Sequence, residues 1–307
     1  MKSATAASVW ANDRLRLVVT AACNISCFYC HNEGQPKGNQ FLSDKLFTQI
    51  TELIRTAPPK SVTFTGGEAL LHPQLDYFVK TVHSYCSSVT LVTNGILLDE
   101  NRLHALVDAG IAKIRLGVDS LTGEKSRPSS GEFPAMNVKQ RIAEIRNAGV
   151  ELELNIVVTK FNVTELPQIF QFCAQNKISA KIFEYVEVER FGTATASAEI
   201  HRKPIIEFPE FEAMLHKSGV VFQTAEANGF RGANYILTAD GFSWRYCRYL
   251  CPFGLCYMTG TRIDPTGAVY VCMEKRFVEI LSTGDSLAVS ESKLRNVNER
   301  GCCRSNT

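Results

Sequence analysis

No stretch of this chain stays apolar for the roughly twenty residues that a membrane-spanning helix requires, so nothing in it reads as a membrane span. Charge of one sign is scarce as well: 33 Lys and Arg stand against 31 Asp and Glu, a net charge of +2 spread over 307 residues. Surfaces that hold nucleic acid or lipid headgroups by charge carry larger, clustered excesses, so those partners are excluded and a small-molecule substrate is expected. Residues 1–12 lack a cationic start followed by an apolar core and a cleavage site, which argues against export and against a disulfide framework. No internal repeat or low-complexity tract stands out. What the chain does have is cysteine, eleven in all, and in a reducing cytoplasm that number points to metal ligation.

The length allows one barrel-sized domain plus a smaller appendage. From Arg14 to about Tyr185, β-branched or apolar runs alternate with amphipathic stretches, the pattern of repeated βα units around a parallel sheet. Six strands are predicted, at Leu15–Thr20, Ser61–Phe64, Ser88–Val92, Lys113–Val118, Glu151–Val158 and Ala180–Tyr185. Between them, Ser43–Thr56 carries an apolar stripe and Ser43 as a cap, while Asp99–Ala109 and Asn137–Ala148 each run into a glycine, Gly110 and Gly149. Six units fall short of the eight that close a barrel, so the fold class is α/β, a partial, TIM-like (β/α)6 barrel over residues 13–189 with its site at the C-terminal ends of the strands. After about Glu189, a small polar stretch, Pro204, Pro209 and clustered cysteines mark a second, smaller module over residues 190–307.

The cysteines that carry most chemistry follow the first strand: Cys23-Asn24-Ile25-Ser26-Cys27-Phe28-Tyr29-Cys30. Zinc modules pair Cys-x-x-Cys with a second pair nearby, and the next cysteine here is Cys86, so zinc fits poorly. Three thiolates at this spacing would leave one iron of a [4Fe-4S] cluster open to chelate a small molecule. The run resembles the radical S-adenosylmethionine (SAM) superfamily. That resemblance implies a [4Fe-4S] cluster on Cys23, Cys27 and Cys30, SAM on the open iron, and an external electron donor such as a flavodoxin or ferredoxin.

Further motifs fall after successive strands: Gly66-Gly67-Glu68, Thr93-Asn94-Gly95, Asp119-Ser120, and Asn155 within the fifth. Singly, each reads as a turn, a cap or a polar residue in search of a partner. The glycine pair is expected to let a ligand approach the backbone. By the resemblance, Gly66, Gly67 and Glu68 or nearby backbone oxygens hold the SAM ammonium, Asp119 or Ser120 meets a ribose hydroxyl, and Tyr29 lies against adenine; Asn94 and Asn155 complete the cofactor set. More narrowly, Leu15–Thr20, Thr93–Leu98, Gly117–Leu121 and Asn155–Val158 resemble the GTP 3′,8-cyclases of molybdenum-cofactor biosynthesis over residues 13–190.

Toward the C-terminus, Cys256, Gly267 and Cys272 are spaced as a β-hairpin holding two thiolates, which resembles the auxiliary-cluster modules called twitch and SPASM. Cys251, Cys256 and Cys272 are the expected ligands of a second iron–sulfur cluster, with a structural zinc as the competing occupant. Cys302 and Cys303 lie near the end, and Cys247 is a candidate hydrogen donor to a substrate radical. The compact Cys-x-x-Cys, Arg-rich strand and terminal glycine pair of the cyclases are missing, so a substrate other than GTP is expected, a nucleotide, sugar or peptide. Arg16 and Arg262 are expected to meet an anionic group from opposite sides. The readings left open are a cyclase-like enzyme, an epimerase or dehydrogenase using a cysteine donor, and a non-enzymatic iron–sulfur or zinc protein.

Overall fold

The computed structural model describes residues 8–30, 32, 38–121, 137–185, 206–224, 235–239, 242–247, 260–272 and 277–300. Its first half alternates strand and helix: β1 (Arg14–Thr20), α1 (Asp44–Thr56), β2 (Ser61–Gly66), α2 (Leu75–His83), β3 (Val89–Thr93), α3 (Glu100–Asp108), β4 (Lys113–Gly117), α4 (Val138–Asn147), β5 (Glu151–Val158), α5 (Leu166–Asn176) and β6 (Ser179–Glu184). Local chemistry sets the helix limits. Ser43, Asp99 and Asn137 cap α1, α3 and α4 by accepting from backbone N–H groups three residues on, and Gly110 and Gly149 take positive φ just beyond the last turns.

Six parallel strands were expected, and the sheet contains more. Beyond β6 come α6 (Phe208–Lys217), β7 (Val221–Thr224), β8 (Tyr235–Ala239), β9 (Phe242–Cys247), β10 (Thr261–Ile263), β11 (Ala268–Tyr270), β12 (Glu279–Ile280) and α7 (Leu287–Arg300). β10 pairs in parallel with β1, and β9 pairs in parallel with β6. Among the described residues the 12-stranded order is therefore β12-β11-β10-β1-β2-β3-β4-β5-β6-β9-β8-β7, a parallel centre finished at each edge by antiparallel strands. This is an open, partial barrel whose sheet runs through both predicted units. The predicted boundary at 189/190 lies outside the described residues.

Strand alternation gives the sheet two unlike faces. Leu15, Leu17, Val62, Phe64, Leu91, Ile114, Leu116, Leu154, Ile156 and Ile182 point to the helices and form one core with Leu46, Phe47, Ile50, Leu53 and Ile54 of α1. The opposite face carries Arg16, Thr63, Thr90, Arg115, Glu153, Asn155, Lys181 and Arg245 at the intervening positions. Such a face needs partners or ligands rather than packing. Among the described residues no helix is long and apolar enough to cross a membrane.

Candidate functional site

The loop bearing Cys23, Cys27 and Cys30 leaves β1 at Thr20, and its base is stapled shut. The Ala21 N–H and the Thr20 hydroxyl both donate to the Gln40 carbonyl, at 3.0 and 2.8 Å, and Leu42 N donates to the Val19 carbonyl at 2.8 Å. Behind this return, buried His72 accepts from Gln74 N on Nδ1, so its Nε2 carries the hydrogen donated to the Leu42 carbonyl at 2.9 Å. Burial holds the His72 imidazole below its usual value, in keeping with a neutral ring.

Gly66 and Gly67 serve the same loop. A Cβ on Gly66 would lie 2.4 Å from the Thr20 carbonyl oxygen, and one on Gly67 would lie 2.2 Å from that of Ala22. Without side chains, Gly67 N reaches Thr20 O at 2.9 Å and Glu68 N reaches Ala22 O at 2.8 Å. The glycine pair thus admits the protein's own backbone at close range.

Glu68 is 1% exposed. Its carboxylate accepts from Leu70 N (3.0 Å), the Thr93 hydroxyl (2.8 Å) and Asn94 N (2.7 Å). Burial raises its carboxyl, and these three donors pull the other way. The Asn94 amide then donates to Asn24 Oδ1 at 2.8 Å, inside the cysteine run. Bonds therefore pass from the loop through the β2 turn and the β3 turn and back to the loop. Its other end is fixed by aromatic and polar contacts. Phe28 meets Tyr29, Phe161 and Tyr185 with ring centroids 5.1, 5.6 and 6.0 Å apart, and the Tyr29 hydroxyl donates to Asp119 Oδ1 at 2.5 Å.

These contacts gather Tyr29, Gly66, Gly67, Glu68, Asn94 and Asp119 around one loop. Ser120 is buried next to Asp119, and Asn155 pairs with Gly117 in register, its Oδ1 buried without a hydrogen-bond partner. The three thiols are free of disulfides and half-buried, and Asn32 N donates to Cys30 Sγ at 3.3 Å. Among the described residues no three His, Cys, Asp or Glu side chains already converge to hold a metal ion. A cluster does not ask for such convergence on one point, since its thiolates bind different irons, and a three-thiol loop braced on both flanks fits that group.

Arg16 and Arg262 are placed differently from expectation. They are register partners on β1 and β10, side by side rather than on opposite sides, and buried Arg262 donates from Nη1 to the Val271 carbonyl at 2.9 Å. Arg115 on β4 and Lys181 on β6 lie on the same face of the sheet, and the sequence reading passed over both. Cys247 ends β9 opposite Phe183, buried, on the face that Arg245 occupies. Buried Cys272 follows β11, whose turn from β10 is made by Asp264 and by Gly267 at φ 83°, with a virtual Cβ 2.3 Å from the Leu281 carbonyl. Cys251, Cys256, Cys302 and Cys303 lie outside the described residues.

Residues 17–173, a little over half of the chain, match the family described as the Radical SAM superfamily. A GTP 3′,8-cyclase from Chlorobaculum tepidum is 27% identical over 251 residues, 76% of this chain and 73% of that one. A GTP 3′,8-cyclase from Nautilia profundicola is 31% identical over 188 residues, 58% of each chain, so the match spans less than two thirds of that relative. Among solved structures, anSMEcpe with bound AdoMet and Cp18Cys peptide superposes with a TM-score of 0.65 at 15% identity, covering 95% of this chain and 83% of that one. Streptococcus suis SuiB bound to precursor peptide SuiA gives 0.58 at 14% identity, covering 92% and 65%. Identities this low speak to the fold alone.

Proposed function

The chain belongs to the radical SAM superfamily and is an enzyme of that type, and on that premise we propose that it abstracts hydrogen from a small anionic or nucleotide-like substrate in a cofactor or natural-product pathway. The observation that carries this reading is the cysteine loop, held on one flank through Gly67, Glu68 and Asn94 and on the other through Phe28 and Tyr29. When bound, the [4Fe-4S] cluster supplies an electron that cleaves SAM to methionine and a 5′-deoxyadenosyl radical.

In this reading Cys23, Cys27 and Cys30 hold the cluster. The carbonyls of the Gly66-Gly67 turn accept from the SAM ammonium, while Glu68, engaged by three protein donors, braces that turn. Asp119 and Ser120 face the ribose, Tyr29 stands beside adenine, and Asn155 offers its unsatisfied Oδ1 to a bound donor. Arg16 and Arg262 draw the anionic end of the substrate to the β1–β10 wall. Cys251, Cys256 and Cys272 hold a second iron–sulfur cluster, a flavodoxin or ferredoxin donates electrons, and the reaction is cytoplasmic. A second reading, an epimerase or dehydrogenase in which the Cys247 thiol gives hydrogen back to the substrate radical, is favoured by the place of that thiol on the polar face beyond Arg245.

The test is one anaerobic preparation of the full chain, assayed for iron and for 5′-deoxyadenosine after reduction with SAM. We expect about eight irons per chain, falling to about four when Cys23, Cys27 and Cys30 are all changed to alanine, together with loss of 5′-deoxyadenosine. Product from the triple variant would remove the cluster assignment, and about four irons with one zinc in the unmutated protein would remove the second cluster.

A further inference from the structure

Four charged side chains from four adjacent strands meet on the polar face of the sheet. Glu153 of β5 lies at the centre, its side chain 4% exposed. Its Oε2 is 2.6 Å from Arg115 Nε of β4 and 3.2 Å from Lys181 Nζ of β6, and its Oε1 is 3.4 Å from Arg245 Nη2 of β9. Arg115 is opposite Glu153 in register, and Lys181 is opposite both Asn155 and Arg245, so strand pairing itself fixes the group. Arg115 and Lys181 share this one carboxylate, which leaves a positive charge over before Arg245 is counted. Just above, toward the cysteine loop, Asn155 presents its buried, unpartnered Oδ1.

A half-buried excess of positive charge costs free energy until an anion joins it. Among the described residues one carboxylate, Glu153, serves both Arg115 and Lys181, and it also limits what can join. A single oxyanion meets Arg115 and Lys181, which share Glu153 between them, whereas a run of phosphates would be driven against the Glu153 charge.

We propose that Arg115, Lys181 and Arg245 form an oxyanion subsite on the sheet face that also carries Arg16 and Arg262, and that Glu153 is its specificity-determining residue, restricting it to one carboxylate or phosphate-like group of the substrate and rejecting polyphosphate. The proposal deepens the substrate class of the same site and rests on the reading of that site as an enzyme's interior. It adds a second point of attachment beside the β1–β10 arginines, a single oxyanion lying against β4, β5, β6 and β9.

The electrostatics agree. Burial, then the charges of Arg115 and Arg245, bring the Lys181 ammonium down to about 8 against the opposing pull of Glu153. Sulfate, which keeps its charge across neutral and alkaline pH, is therefore the probe of choice, with tripolyphosphate as the probe to be rejected. Both are titrated calorimetrically into the cluster-loaded enzyme with SAM present. Lys181→Met should weaken sulfate binding about tenfold, the scale of one charge removed from a partly buried group. Glu153→Gln should do the reverse, strengthening tripolyphosphate about tenfold and sulfate by clearly less, so that the ratio between the two probes changes.

Should Glu153→Gln fail to fold, the unmutated enzyme and Lys181→Arg decide the matter. Sulfate affinity of the former should fall as pH rises through about 8, where Lys181 loses its proton facing Arg115, Glu153, Asn155 and Arg245, and that of Lys181→Arg should stay level. Sulfate binding indifferent to Lys181→Met, an unchanged probe ratio in a folded Glu153→Gln, or a level pH profile in the unmutated enzyme overturns the proposal. Failure of the radical SAM reading would show separately, as absence of 5′-deoxyadenosine from the unmutated enzyme.

Discussion

Gly67 shows how a residue can be picked out from sequence for one reason and be needed for another. A glycine pair after a strand, followed by a carboxylate, marks a place where backbones come close, and so much was legible. Which backbone comes close was not, because the answer lies in Thr20 and Ala22, some 45 residues away in sequence and adjacent only once β1 and β2 pair. Gly67→Ala should therefore act on the cysteine loop. Its methyl would sit 2.2 Å from a carbonyl oxygen and 2.6 Å from the carbon of Ala22, both backbone atoms that cannot swing aside. We expect a loss of about 1–3 kcal/mol in urea denaturation, the range of an overpacked interior site, with lower iron retention after reconstitution. Iron retention and stability equal to the unmutated protein would mean that the turn does not brace the loop. Asn24 and Phe28 were missed altogether, although both lie inside the motif, since the spacing of three cysteines says nothing about the residues that hold the loop to its neighbours.

At the level of strands, the period of two was present in the sequence and only half of it was used. The apolar positions Ile114, Leu116, Leu152 and Leu154 identified β4 and β5, while the residues between them, Lys113, Arg115, Glu151 and Glu153, carried an equally regular signal of a charged interior. What the sequence lacks is pairing, and only the register brings Glu153 to Arg115 and Lys181 to Arg245. This cluster has a pH signature. Burial alone would raise the Glu153 carboxyl, and the charges of Lys181 and Arg115 outweigh it, leaving the group at about 2 where 4.5 is usual. A carboxyl depressed in the folded state stabilises fully above its unfolded value, and that stability is lost as pH falls through the folded one. Glu153 should therefore contribute about 3 kcal/mol at pH 5 that disappears by about pH 2. Lys181 acts in the opposite sense: its lowered value disfavours the charged folded form, a penalty relieved as pH climbs from about 8 toward 10.5. Thermal unfolding of the cluster-free protein between pH 5 and 2, beside Glu153→Gln, checks the acid limb. Parallel losses in the two proteins would refute it.

For the whole molecule, the composition shift near residue 189 was legible and its structural meaning was not. Cysteine clustering and prolines suggested an appended module, yet β9 and β10 join β6 and β1 directly, because three- to six-residue strands with little periodicity leave no trace of their partners. The segment before β1 and the helix α7 are tied to this same edge. Ala11 N donates to the Thr261 hydroxyl at 2.8 Å, Asn298 Nδ2 donates to the Val9 carbonyl at 2.6 Å, and Gln49 of α1 donates to Ser290 of α7 at 2.9 Å. Residues 1–189 expressed alone would lose both parallel neighbours of the sheet, leaving β1 and β6 as bare edges with unpaired N–H and C=O groups. The α1 surface under Leu294 and Val297, each fully buried, would be uncovered as well. Bare edges of this kind recruit other strands, so the fragment should run as soluble aggregate on size exclusion and melt without a cooperative transition, whereas the 307-residue chain melts as one unit. A monomeric fragment with a cooperative melt would instead show that β1 to β6 make a self-sufficient domain. The strands beyond residue 189 would then be additions to a finished sheet rather than parts of it.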